Sequence, residues 1–318
     1  MYRKLMTLAA CAAGSLIVAT ACGGAASGAG AAPRVVAKIP VGGVGPCGSV
    51  AAFGRIWVAN YATSVIVRVD PKRNRLKGRP VRVGSLPCGI TAGAGAIWID
   101  GYGTNSIERL DPKTLKVKHI RVGVAPFDVA FGEGSVWSSN YSDGTVSRID
   151  ARTGKVVATI ETGGKPTGLS VTPGAVWVGS QEGFPAGPGD IYRIDTATNA
   201  VSTVHVGHPT PGWFAATSTD LWISNQSDNT VSRLDLATQK VVATIPVGAN
   251  PVDGGVAPDG SIWIPMKNGG TIWRIDPATN TVTAKLKVGR QPFVASPGFG
   301  DMWVGSFGGT DIRRIRTG

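Results

Sequence analysis

Seven tryptophans constrain this chain more than any other feature. Trp57, Trp98, Trp137, Trp177, Trp222, Trp263 and Trp303 each close a short run opened by Gly or Asp, and their spacings are 41, 39, 40, 45, 41 and 40 residues. A period of about forty residues with several short apolar runs per unit is the signature of a propeller, and seven anchors mean seven blades. Composition agrees. With 42% hydrophobic residues the chain is too apolar for disorder, and with 45 Gly and 21 Pro it is too rich in turn formers for a helical protein.

Each unit reads as four strands, labelled A to D here. Strand A follows a Pro, as in PCGSVAAFG at 46–54, and strand B carries the Trp, as in IWVAN at 56–60. Strand C precedes an Asp, as in TVSRID at 145–150, and strand D ends in Val-Gly or Thr-Gly, as in KVVATIETG at 155–163. The C–D turn starts at an Asp that can bond the backbone two residues on, as at Asp150, Asp195, Asp235 and Asp276. Four residues later come Asn74, Gly154, Asn199 and Asn280, types that tolerate left-handed backbone. Leu115 and Gln239 break that rule, so those two turns are expected to differ.

The last unit stops after strand C. The missing strand stands at the other end: RVVAKIPVG at 34–42 matches KVVATIPVG at 240–248 in seven of nine positions. The expected fold is therefore all-β, a seven-bladed β-propeller of four-stranded antiparallel blades. The N-terminal strand 34–42 completes the last blade and removes a free edge.

WVAN at 57–60, WSSN at 137–140 and WISN at 222–225, followed by TVSRID and KVVATIPVG, resemble the YVTN repeat of bacterial surface propellers, with Trp in place of Tyr. The units also resemble the virginiamycin B (streptogramin) lyase family, whose blades share the P-x-G-I/V, W and I-x-R-I elements. That second resemblance implies lyase chemistry that involves Mg, with catalytic His after the strand-A Pro of the last two blades and Glu before the final Pro. Here those positions hold Val252, Phe293 and Gln291. None of these can abstract a proton or hold a metal as His and Glu do. Enzymatic activity is therefore not the favoured expectation, and neither cofactor nor metal is expected.

Other residues are candidates for chemistry. His119 and His205 fall on outer strands and His208 in a loop near the upper face. Cys47 and Cys88 occupy equivalent places in adjacent blades. A disulfide, two free thiols and a soft-metal or redox site all remain open, with the disulfide favoured in an exported chain. Arg68, Arg109, Arg148, Arg193, Arg233, Arg274 and Arg314 recur once per blade, which points to a structural role. Tyr61, Tyr102, Tyr141 and Phe307 share one position after the Trp in four contiguous blades, where the others have Gln181, Gln226 and Lys267. The D–A loops on the same upper face add Phe127, Asp128, Trp213, Asp253 and Phe293. An aromatic arc on one side of the mouth suits a protein, peptide or polysaccharide ligand. Asp128 and Asp253 come from nearly opposite blades, so direct pairing is not expected. The long loop 181–190 is a further departure from the repeat.

The N-terminus reads as a processing signal over 1–21. Arg3 and Lys4 precede a short apolar run, and Ala19-Thr20-Ala21-Cys22 is both an A-x-A cleavage site and an imperfect bacterial lipobox that would acylate Cys22. Residues 22–33 then form a flexible Gly/Ala tether to the propeller at 34–318. Removing Arg3 and Lys4 and no acid takes the net charge from +12 to +10. The expectation is a monomeric, exported binding scaffold, held by a lipid anchor on the outer face of the cytoplasmic membrane or secreted. Nucleic acid is not expected as a partner. The alternative is a lyase-like or hydrolase-like enzyme with a divergent site around Asp128, Asp253 and His208.

Overall fold

The computed structural model describes residues 31–180 and 189–318. The leader, most of the tether with Cys22, and positions 181–188 of the long loop lie outside the described residues. The described chain contains no helix and forms seven antiparallel sheets in a ring.

Strands A, B and C of the last blade are Pro292–Gly298, Asp301–Ser306 and Asp311–Arg316, and Arg34–Pro40 adds the fourth. Its register pairs Arg34 with Arg316 and Pro40 with Asp311. The chain's first strand thus completes its last blade, as the matching sequences predict. Blade 1 departs from the four-strand pattern. Its outer strand is split into Arg75–Leu76 and Val81–Arg82, because Gly78 at φ 74° and Pro80 interrupt the ladder.

Apolar packing follows the ring. Seven buried clusters each combine residues of two neighbouring blades, and each holds one of the seven anchoring Trp, all at most 1% exposed. In the closing interface Ile39 and Val41 pack with Trp303 and Ile312 of blade 7 and with Ile56 and Val58 of blade 1. Fully burying one such aliphatic side chain contributes about 1.5–3 kcal/mol.

The lower face carries the A–B and C–D turns. All six C–D turns close the same way, including the two expected to differ. Leu115 and Gln239 take φ 61° and 55°, and their amides reach Asp111 and Asp235 carbonyls at 2.9 and 2.8 Å, as Asn74 does with Asp70. Bonds from Thr114, Thr153, Thr198 and Thr238 hold the carboxyls of Asp111, Asp150, Asp195 and Asp235 below the usual range. Turn closure outweighs the cost of placing Leu or Gln in left-handed backbone.

Three of the seven strand-C arginines join blades, while Arg68, Arg193 and Arg274 bond within their own. Arg148 stacks on Trp137 at 4.7 Å and reaches Thr196 O and Asn199 Oδ1 in the next blade's turn. Arg233 does the same over Trp222, reaching Pro277 O and Asn280 Oδ1, and Arg314 over Trp303, reaching Asn74 Oδ1. The Asn of a turn is thus both its left-handed residue and the acceptor for the preceding blade's Arg. Arg109 still stacks on Trp98, at 5.5 Å, but Ala96 stands where Ser135, Asp220 and Asp301 accept from the Nε of Arg148, Arg233 and Arg314, and Arg109 Nε is buried without a partner.

Candidate functional site

The inner strands converge on the axis, and the residues after each strand-A Pro meet there. Close approach demands glycine at some of them: a Cβ on Gly48 would lie 2.2 Å from Cys88 O, and one on Gly168 2.4 Å from Gly212 O. Where larger residues stand they form an eighth apolar cluster at the upper mouth. Cys47, Trp213, Val252 and Phe293 are its buried members, with Tyr61, Cys88, Phe127 and Phe307 packed against it. Cys47 and Cys88 are disulfide-bonded across blades 1 and 2, with Cα atoms 5.0 Å apart.

The aromatic residues do not form an arc beside an open mouth. They cross it. Tyr61 meets Phe307 at 5.4 Å, Phe307 meets Phe293 at 5.9 Å, Phe293 meets Trp213 at 5.0 Å and Trp213 meets Phe127 at 5.7 Å. Phe127 then contacts Tyr102 at 5.9 Å and Tyr141 at 5.4 Å. The four positions expected to act together are therefore split into two groups and joined by residues of the D–A loops. Trp213 is 2% exposed and Phe293 6%, so these two belong to the plug, while the tyrosines keep an outward edge.

Two spaces result. Above the disulfide lies a cup of about 180 Å3 walled by Tyr61, Leu86, Tyr102, Phe127, Phe293 and Phe307, with Asp100 and Lys267 also lining it. Tyr141 and Trp213 are not among its walls. Lys267 is half-buried, its ammonium 5.3 Å from the centre of the Phe293 ring, and desolvation pulls its pKa down. Burial raises the Tyr61 hydroxyl, and the charges of Tyr102 and Asp100 add to it. Below the plug runs a central channel of about 620 Å3 that contains Asp128 and Asp253.

Asp128 and Asp253 share this channel, and the charge of Asp128 is felt at Asp253. Desolvation raises Asp128 to about 7, against the bonds it accepts from the amides of Leu169 and Val129 at 2.8 Å each. Desolvation first, then the Asp128 charge, raises Asp253 well above the carboxylate range despite a bond from the Phe214 amide. Each carboxyl thus ties its inner strand to a neighbouring blade. The inner strand carrying Asp253 is irregular, with regular pairing only at Gly255–Val256.

His208 is not near them. It bonds Asp228 Oδ2 at 2.6 Å and Thr244 Oγ1 at 3.2 Å, and it lines neither the channel nor the cup. The constellation of Asp128, Asp253 and His208 expected for a divergent enzyme is therefore not assembled. His119 and His205 lie on outer strands beside Glu108 and Asp190, with side chains 64% and 73% exposed. Among the described residues no cluster of three His, Cys, Asp or Glu is placed to hold a metal ion. Of the lyase-type positions, Val252 is fully buried and Phe293 nearly so, and Gln291 is exposed.

Sequence reasoning missed Asp100. It is fully buried and accepts the Cys88 and Gly89 amides at 2.6 and 2.8 Å, so strand A of blade 2 begins only at Ile90. Desolvation pushes its carboxyl well above the usual range. A signal existed: the equivalent strand-B positions hold the uncharged residues Ala59, Ser139, Gly179, Ser224, Pro265 and Gly305.

No sequence family matches the chain, and neither does any curated protein. Solved structures do match in fold. A streptogramin B lyase superposes with a TM-score of 0.78 at 16% identity, over 89% of this chain and 97% of that one. A catalytically inactive variant of the virginiamycin B lyase of Staphylococcus aureus, solved with quinupristin, gives 0.76 at 15%, over 89% and 99%. The WD40 propeller domain of Doa1 gives 0.77 at 13%, over 90% and 97%. Lyase and WD40 propellers are thus alike as neighbours, and at these identities they share the architecture.

Proposed function

We propose that this propeller is a non-catalytic binding scaffold of the extracytoplasmic space, lipid-anchored through Cys22, that takes a protein, peptide or polysaccharide ligand in the cup at its upper mouth. The observation that carries the reading is the chemistry of the cup. Tyrosine edges and a half-buried ammonium surround an apolar hollow, while the lyase-type positions are occupied by Val252 and Phe293 of the plug. Aromatic groups with a polar tip supply contact area and hydrogen bonds together, which suits a ligand of mixed character. Propeller folds commonly bind protein partners, which is consistent with this reading.

The test separates binding from turnover. Wild-type chain and the Tyr61→Ala/Tyr102→Ala double variant are compared for retention on peptide and cell-wall polysaccharide arrays. The double variant is expected to melt as the wild type does and to lose retention; equal retention would retire the cup as the site. Incubation with quinupristin, followed by chromatography, is expected to return it unchanged. Its conversion would instead revive the lyase reading, and loss of that conversion in Asp128→Asn would locate it.

A further inference from the structure

At the junction of blades 7 and 1 the lower face carries residues that neither ring closure nor the upper mouth explains. The A–B turns of these blades each put a phenylalanine into solvent. Phe53 is 51% exposed and Phe299 46%, at φ 49° and 55°. The turn itself does not demand an aromatic side chain, since the same place holds Ala94, Glu133 and Pro173 in blades 2, 3 and 4. A bulky side chain in left-handed backbone is disfavoured, so these two stand against local preference.

Beside the two turns lies a groove of about 750 Å3 that contains Arg55, Lys72, Arg73, Arg314 and Phe299, with Asp70 as its acid. Asp70 is already engaged by the amides of Lys72 and Arg73 and by the Arg73 guanidinium. Arg314 is engaged by Asp301 and Asn74. Among the described residues Arg55 bonds only the neighbouring Gly54 carbonyl, and Lys72 is exposed. Arg34, Arg75 and Arg316, all exposed, extend the basic surface around the groove. Asp301, beside Arg316 at 3.6 Å, is buried. The described chain also enters here, because Arg34 pairs with Arg316 at the lower end of the closing strand. The segment bearing Cys22 therefore joins the propeller at this edge.

We propose that this edge is a docking surface for an anionic phospholipid bilayer. Lipid phosphates sit in the groove of Arg55, Lys72 and Arg73, and Phe53 and Phe299 enter the headgroup layer. Cations beside exposed aromatic side chains suit such an interface, where charge attracts and apolar area holds. An uncharged partner would leave the cations of the groove unanswered, and a purely ionic one would leave the phenylalanines in water. Docking this way turns the cup away from the membrane, toward a ligand arriving from outside. The proposal stands whether or not the cup binds anything.

The test uses the full chain with Cys22→Ala, so that no lipid can be attached, and vesicles of phosphatidylcholine with or without phosphatidylglycerol. A tryptophan introduced by Phe299→Trp is expected to blue-shift and to be quenched by brominated acyl chains only when phosphatidylglycerol is present. Partitioning should weaken at least about tenfold in Arg55→Ala/Lys72→Ala/Arg73→Ala and in Phe53→Ser/Phe299→Ser, and fall steeply with salt. The single exposed change Lys72→Glu repeats the measurement without risk to folding and should also weaken partitioning. Absence of quenching at position 299, or equal partitioning of all variants, overturns the proposal. So does tight binding of soluble polyglycerol phosphate that survives Phe53→Ser/Phe299→Ser, which would assign the surface to an anionic polymer.

Discussion

The two ends of the same seven blades obey different rules. At the lower end the same C–D turn recurs in six blades and a stacked Trp–Arg pair in five, and three of those arginines reach the next blade. At the upper end the residues after the strand-A Pro run Cys47, Cys88, Phe127, Thr167, Gly212, Val252 and Phe293, with little repetition. The reason is radial. Outer turns are far apart, so each interface can use the same solution. Inner strands converge, and the residues at the mouth share one small volume. Seven phenylalanines would overfill it and seven glycines would leave a hole, so large and small residues must be mixed there. Repetition marks where blades are joined, and variation marks where they meet.

Predictions that would break or sharpen this contrast run from ring to channel. Deleting residues 1–43 removes Ile39 and Val41 from the closing interface and leaves blade 7 without its outer strand. Loss of the cooperative melting transition is expected; unchanged melting would refute closure. Next, the Cys47–Cys88 bond spans 41 residues of sequence, for which chain entropy gives up to about 4 kcal/mol. Cys47→Ser/Cys88→Ser should therefore lower the denaturation midpoint clearly, read by urea titration. A negligible change would mean that the closed ring already constrains the two strands.

The arginines test the lower end. Arg233 bonds Asp220 twice and also Pro277 O and Asn280 Oδ1, so Arg233→Ala should cost roughly 1–3 kcal/mol. Arg109→Ala should cost less, because Arg109 Nε has no partner to lose. Equal losses in urea titration would show that stacking on Trp, rather than the hydrogen bonds of the guanidinium, sets the value.

The channel is tested by pH, and there the sign of the effect is the informative part. Asp128 is raised from 3.8 to about 7 and Asp253 is raised as well. An acid whose folded pKa is raised holds its proton more tightly when folded. Its stabilising contribution is full below the unfolded pKa and is lost as pH rises through the folded one. Wild-type melting should therefore fall between pH 3.8 and about 7. Asp253→Asn keeps an acceptor for the Phe214 amide and carries no charge, so its melting temperature should exceed wild type at about pH 8 and converge with it in acid. A variant no more stable at about pH 8 would mean that the fold accommodates the ionised carboxyl.

Much of the fold was legible because its determinants are local and repeated. The Trp spacing counts blades, and RVVAKIPVG announces its place by matching KVVATIPVG. Where residue type and backbone demand disagreed, the backbone prevailed: Leu115 and Gln239 turn like their Asn and Gly counterparts. The site was legible only as a set of departures. Tyr61, Tyr102, Tyr141 and Phe307 were visible as one aligned position, but their division between two contacts was not. Asp100 went unread because its neighbours in strand B are ordinary and its partners lie eleven and twelve residues away.

By itself, then, the sequence determined the number of blades, the strand that closes them and the arginine that recurs in each. Each of these rests on a pattern that returns with a fixed period. Only the tertiary structure decided that the aromatics plug the mouth, that Asp128 and Asp253 share one channel without His208, and that Phe53 and Phe299 stand beside a basic groove. Those facts depend on which blades a curved sheet brings to the axis or to one rim. No spacing along the chain encodes a distance across a ring.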